Sequence, residues 1–266
     1  MPPQSSGIQS VERAIAILKS FSMEQPERGV SELSQALDLH KSTVSRLVQT
    51  LERGGLLTRN PETRRYQLGT ELIGLGAQVT SHLDVREVAR PLLRQLAMQC
   101  QESVNLVVLV SSIPLDPDAG SEVVNLEQFI PPARQVKNIG RVGRRMCAHS
   151  TAAGKVLLAY LPPEQQAHNL PSTLMRFTAR TITQPDELQE ELGRVRQRGY
   201  AVSQEELEEG LNALAAPIRD HTGAVIAAAS VAGPAYRVTP EIFHELAQQL
   251  MHVTAQISEQ LGYRQR

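Results

Sequence analysis

The chain has 266 residues, 41% hydrophobic and 21% charged, with a formal net charge of −1. That length suits a small domain joined to a larger one, and the composition is too apolar for extended disorder. The near-zero charge removes any global pull toward nucleic acid or an anionic membrane, and Cys100 and Cys147 are too few for a disulfide scaffold. No apolar run approaches the roughly 20 residues of a membrane span, and no charged-then-apolar leader opens the chain, so a cytoplasmic protein is expected.

The opening "MPPQSSG" reads as disordered. From Ser10, a plausible cap, Val11, Ala14, Ile15 and Leu18 recur at helical spacing and predict a first helix ending before the polar loop "SMEQPERG". A shorter helix carries Leu33, Ala36 and Leu37, and Asp38 can turn the chain sharply in the left-handed region. In the third helix Val44, Leu47, Val48 and Leu51 fall at i, i+3, i+4 and i+7, a stripe able to pack on the first two. Ser42, Ser45, Arg46 and Gln49 repeat that spacing two residues out of step, about 200° round the helix. After "ERGG", the stretches "LLTR" and "RYQL" alternate as strands do around the turn "NPET". The result is a winged helix-turn-helix.

A helical stretch follows from Glu71 to about Gln101, with Leu72, Leu75, Val79, Val85, Val88, Leu92 and Leu96 as its apolar positions. Gly74 and Gly76 weaken its first part, and Pro91 is expected to kink or restart it, so it reads as two helices in series, a connector and a possible dimer contact. Beyond Ser103, "VNLVVLV", "EVVNLEQFI", "YAVSQ", "LNALAAPI" and "AVIAAASV" read as strands, with "RDHTG" as a hairpin turn. Helices are expected over "TAAGKVLLAYL", over "PDELQEELGRVRQRG" and from Thr239, a cap followed by Pro240 at the first helical position. The fold class is α+β: residues 1–69 a winged domain, 70–102 a helical linker and the start of the next domain, and 103–266 a mostly antiparallel sheet with flanking helices.

A helix about 10–12 Å across fits a major groove, where side chains on its exposed face meet base edges. Between His40 and Leu68 the bases Lys41, Arg46, Arg53, Arg59, Arg64 and Arg65 face only the acids Glu52 and Glu62, a local footprint for double-stranded DNA. Arg46 can fork onto guanine and Gln49 can pair with adenine, while Ser42, Thr43 and Ser45 can reach bases or phosphates. Lys41 at the helix start and Arg59, Arg64 and Arg65 on the wing would meet phosphates or probe the minor groove.

"SVERAIAILKSF", "SELSQALDLHKSTVSRLVQTLERGGLLTRN", "RRYQLG", "HSTAAGKVLLAYL" and the run from "ELGRVRQRGYAVSQ" to "VAGPAYRVT" together resemble the IclR family of bacterial transcriptional regulators, over nearly the whole chain. The resemblance implies a GAF-like second domain and a homodimer, or a dimer of dimers, on palindromic operators. It also implies control by a small effector, commonly a carboxylic or aromatic acid. By the same resemblance the effector would lie between the sheet and the helix of "HSTAAGK", with Thr151, Ala152 and Ala153 offering amides to a carboxylate and Ser203, Ala213, Ala215 and Ser230 lining the sheet. A helix N-terminus supports that chemistry on its own. Ser203 stands where the family usually has an acid, Ala213 where cysteine is frequent and Ala232 where serine is frequent, so the pocket is expected to be more apolar and to favour a larger or aromatic ligand.

Other chemistry fares worse. "HSTAAGKV" lacks a P-loop's first Gly, with His149 there, and its Ser or Thr after lysine, with Val156 there. Cys147 and His149 have no second pair at zinc spacing, so neither a metal nor a cofactor is expected. The acids of "EELEEG" read as solvated, and "GRVGRRMCAHS" as a solvated loop or subunit contact whose Arg141, Arg144 and Arg145 could instead hold an acidic effector. The expected function is a DNA-binding regulator, more a repressor than an activator and not an enzyme; a DNA-binding head on an oligomerisation or enzymatic domain is the alternative.

Overall fold

The computed structural model describes residues 8–22, 24–75, 84–110, 121–132, 141–169 and 173–264. "MPPQSSG", Gly76 and Val79 lie outside them. The chain divides into two compact units, Met1–His82 and Leu83–Arg266.

In the first unit, α1 (Gln9–Lys19), α2 (Val30–Ala36) and α3 (Lys41–Arg53) precede a hairpin of β1 (Leu57–Arg59) and β2 (Tyr66–Leu68), with Leu57 opposite Leu68 and Arg59 opposite Tyr66. Its core is Ile17, Leu33, Val44, Val48, Leu51, Leu57 and Tyr66. Asp38 holds φ 49° after α2, the left-handed turn expected of it. Three details differ from the sequence reading. The cap of α1 is Ile8, and the helix is rolled so that Ile17 is sealed while Val11 and Ile15 stay exposed. Ala36 is exposed, because α2 has only seven residues and meets α3 through Leu33 and Leu37. The polar loop before α2 is partly extended: Arg28 exchanges both backbone hydrogen bonds with Tyr66 and borders the wing.

In the second unit, α4 (Asp84–Cys100) runs through Pro91 without a restart. Val85, Ala89, Leu93, Leu96 and Ala97 are buried along it, and this packing carries the helix across the one bond proline cannot make. Six antiparallel strands follow in the order β5-β4-β3-β8-β7-β6: β3 (Ser103–Leu109), β4 (Glu122–Phe129), β5 (Arg145–Cys147), β6 (Ala201–Gln204), β7 (Leu211–Arg219) and β8 (Val225–Pro234). α4 and the last helix, α8 (Phe243–Gln260), cover one face. α5 (Ala152–Ala159) and α7 (Pro185–Arg198) cover the other, with α6 (Pro163–Asn169) beside α5. The alternation along β7 and β8 supports both layers: Leu214, Ala216, Ala227, Ala229 and Val231 face α4 and α8, while Ala215 and Ala228 face α5. A 3-10 turn, Pro240–Ile242, stands between Thr239 and α8, so the α-helix starts later than expected. α6 and β5 are absent from the sequence reading; β5 turns part of the arginine-rich loop into an edge strand.

Candidate DNA-reading surface and candidate effector cavity

On α3 the inner stripe is sealed at Val44, Val48 and Leu51, with Leu47 half-buried. Opposite it, Lys41, Ser42, Arg46 and Gln49 are exposed, and Thr43 and Ser45 are half-buried. Among the described residues the side chains of Lys41, Arg46 and Gln49 make no hydrogen bond or ion pair, whereas Ser42 Oγ is 2.8 Å from His40 Nδ1 at the helix cap. The face therefore presents two cations and an amide with their hydrogen-bonding groups open.

The wing is a braced hairpin. Asn60 Oδ1 accepts from the amides of Glu62 and Thr63, and Arg64 takes φ 58° at the tip. Glu27 holds this turn from outside, accepting from Asn60 Nδ2 at 2.8 Å and Thr63 Oγ1 at 3.0 Å. Arg65 donates to the Glu27 carbonyl and to Glu32, which is 2.6 Å away and held below the ordinary carboxylate pKa first by the Gly29 amide and then by Arg65. Arg59 donates to the Arg64 carbonyl and lies 5.8 Å from the Tyr66 ring centre, while the Arg64 side chain has no partner among the described residues. Of the three wing arginines, Arg64 is the most available to an outside phosphate.

In the second unit a small cavity, about 50 Å³, lies between the sheet and the start of α5. Thr151, Ala152 and Ala153 form one wall, and Ser203, Ala213, Ser230 and Ala232 line the sheet. Ala215 does not reach it, being sealed in the core. Thr151 caps α5 by accepting from the Gly154 amide at 3.0 Å, which leaves the Ala152 and Ala153 amides as the helix's opening donors. Ser203 Oγ donates to the Ser150 carbonyl at 3.1 Å and ties β6 to the turn that opens α5. Gly154 is required here, because a Cβ would collide with the Ala148 backbone.

The remaining lining comes from residues not singled out for the cavity in the sequence, apart from one: Asn105 and Val107 of β3, Asn125 of β4, Met146 of β5, Leu207 and Leu211 at the β6–β7 end, and Arg144. Asn105 and Asn125 are buried; Asn105 interrupts the otherwise apolar "VNLVVLV", which is a signal available in the sequence, whereas Asn125 lies in "EVVNLEQFI" among other polar residues and does not stand out. Arg144 is half-buried at the wall and its carbonyl accepts from the Asn125 amide at 3.3 Å, so this part of the loop is not merely solvated.

The acids of "EELEEG" are not uniformly solvated either. Glu206 is buried and accepts from Lys155 Nζ of α5 at 2.6 Å, and the lysine side chain is only 1% exposed. Burial pushes the Glu206 carboxyl above its ordinary pKa, against the pull of Lys155. Thr178 and Thr181 donate to the carbonyls of Glu205 and Glu206, each at 2.6 Å, so the loop bearing Leu207 is fastened from two sides. His149 is 2.9 Å from the Met175 carbonyl, and burial pushes its pKa down and the Cys147 thiol up. A raised thiol is a poor nucleophile and metal ligand.

A winged helix-turn-helix with an open reading face, joined to a cavity-bearing α+β unit, defines a transcriptional regulator. Residues 10–61 match the IclR helix-turn-helix domain, and residues 77–259 match the C-terminal domain of the bacterial transcriptional regulator IclR. The chain belongs to the IclR family. It is 34% identical over 261 residues to the regulator KdgR of Dickeya chrysanthemi, covering 98% of this chain and 82% of that one. It is 32% identical over 262 residues to the repressor AllR of Klebsiella pneumoniae, covering 98% and 93%. A crystal structure of an IclR homolog from Microbacterium hydrocarbonoxydans complexed with 4-hydroxybenzoate superposes with a TM-score of 0.77 at 26% identity, covering 95% and 99%. These relatives are regulators by name, not enzymes.

Proposed function

We propose that this protein is an effector-controlled repressor, acting in the cytoplasm as a homodimer or a dimer of dimers on a palindromic operator. Ser42, Thr43, Ser45, Arg46 and Gln49 read bases, while Lys41, Arg59, Arg64 and Arg65 hold phosphates or the minor groove. Two winged domains about a two-fold axis would suit half-sites about 34–36 Å apart. The effector is a carboxylic or aromatic acid held in the cavity.

The observation that carries this reading is the cavity's donor set: the opening amides of α5 at Ala152 and Ala153, with the Arg144 cation in the same lining. Unpaired amides at a helix start and a guanidinium both favour an anion. The apolar lining of Val107, Met146, Ala213 and Ala232 suits a ring or a carbon chain rather than a very small oxoacid. Two relatives agree: AllR is a repressor, and the Microbacterium homolog holds 4-hydroxybenzoate. Thermal unfolding with a panel of aromatic and aliphatic acids, followed by operator-binding assays with the acids that stabilise, tests it. Acids that raise the unfolding midpoint and release operator DNA are expected; a panel without effect on either would end the reading.

A further inference from the structure

Arg64, the wing arginine most open to an outside phosphate, stands at φ 58°, a backbone conformation that a residue with a Cβ adopts only at a cost. Such a residue persists where its surroundings hold it. Asn60, at the start of the turn, accepts from the Arg64 amide through its carbonyl at 2.9 Å, and its own amide donates to the Arg65 carbonyl at 2.8 Å. Asn60 Oδ1 is taken by the amides of Glu62 and Thr63, which fixes the way the side chain faces and directs Nδ2 at Glu27. Thr63 Oγ1 accepts from the Arg65 amide at 3.3 Å and gives its own proton to Glu27. Glu27 joins the two: Oε1 takes Asn60 and Oε2 takes Thr63, from a loop 33 and 36 residues back in the chain.

We propose that Glu27 is a positioning residue for DNA binding, its carboxylate clamping the turn of the wing so that Arg64 projects toward a phosphate. This rests on the phosphate contact assigned to the wing above and adds the residue that sets its geometry.

The charge of Glu27 separates this role from a simpler one. A carboxylate beside a phosphate-facing tip repels DNA, so an acid there lowers affinity unless its hydrogen bonds return more than its charge takes away. The clamp needs two hydrogen-bonding atoms at the end of a side chain and no charge. Glutamine supplies both, an oxygen for Asn60 Nδ2 and an amide for the remaining lone pair of Thr63 Oγ1. Glu27→Gln thus keeps the clamp and drops the repulsion, whereas Glu27→Ala drops both. The loop itself stays docked in either variant, because Arg28 exchanges backbone hydrogen bonds with Tyr66, and Arg65 donates to the Glu27 carbonyl and to Glu32.

Fluorescence anisotropy of the full-length protein with a labelled mixed-sequence duplex of about 40 base pairs, over roughly 20–200 mM salt, tests this, since phosphate contacts do not depend on sequence. Glu27→Ala is expected to bind about three- to tenfold more weakly than wild type, with the salt slope reduced by up to about 1, as for one lost phosphate contact. Glu27→Gln is expected to bind at least as tightly as wild type. Adding Glu27→Ala to Arg64→Ala is expected to cost little more than Arg64→Ala alone, because the clamp acts through Arg64. Thr63→Val cuts one arm and leaves the acid in place; it is expected to share the loss, and it decides the matter if Glu27→Ala folds poorly. Glu27→Ala or Thr63→Val binding as tightly as wild type, Glu27→Gln as weak as Glu27→Ala, or losses that simply add in the double variant would overturn the proposal. Arg64→Ala without effect on affinity or slope would instead remove the wing from DNA binding and take the proposal with it, as would a wild-type protein that leaves the duplex unbound at the lowest salt.

Discussion

Lys155 and Glu206 form an ion pair between a helix and a loop 51 residues apart, out of reach of water. Its net contribution to stability is small, because two charges were desolvated to make it, but removing one partner strands the other. Glu206→Ala is expected to cost about 3–5 kcal/mol in denaturant unfolding. The double change Lys155→Met with Glu206→Leu should recover most of that loss, and a double variant as weak as the single would disprove the pairing argument. His149 adds a pH term of defined sign. Burial holds its pKa below the ordinary 6.5, helped by the charge of Lys155 and opposed by the Met175 hydrogen bond. As pH falls through that ordinary value the unfolded chain takes up a proton that the folded chain refuses, so stability present at neutral pH is lost toward the folded pKa. Unfolding midpoints from about pH 8 to about pH 5 should fall less steeply for His149→Gln than for wild type.

At the level of elements, the proposed reading divides recognition between α3 and the wing. Arg46→Ala is expected to cost about 1–3 kcal/mol at one base position and to relax specificity there, whereas Arg64→Ala weakens all sequences alike and lowers the salt slope by about 1. Binding to operator and random duplexes across a salt series separates the two, and equal losses on both duplexes for Arg46→Ala would remove it from base reading. α3 was legible because its inner stripe, Val44, Val48 and Leu51, repeats at the helical period and all three are sealed. α1 was legible as a helix but not in its rotation, since Val11 and Ile15 fit the period as well as Ile17 and only tertiary packing chooses among them. In the cavity, the α5 residues came from a local motif and are found at its wall, but Asn105, Asn125, Met146 and Leu207 come from four separate segments that only the strand order joins. Nor does sequence show that Glu206 leaves water, because the lysine that meets it lies on another element. The three-residue β5 is too short for its alternation to register.

For the whole molecule, the net charge of −1 means that affinity for DNA rests on the small unit's local excess and not on long-range attraction by the chain. Control by an acid then requires that the acid bind one arrangement of the protein more tightly than the arrangement that holds DNA, because a ligand with equal affinity for both shifts nothing. That requirement is reciprocal: whatever factor the acid takes from operator affinity, the operator must take from acid affinity. Couplings of this kind are typically about 1–3 kcal/mol, or roughly 5–150-fold. Acid titrations of the free protein and of the protein saturated with an operator duplex should therefore differ by the same factor as operator titrations with and without saturating acid. Agreement is expected for wild type and for Arg64→Ala, which lowers operator affinity without touching the cavity. An acid that binds equally well to the free and operator-bound protein would show that occupancy of the cavity does not control DNA binding.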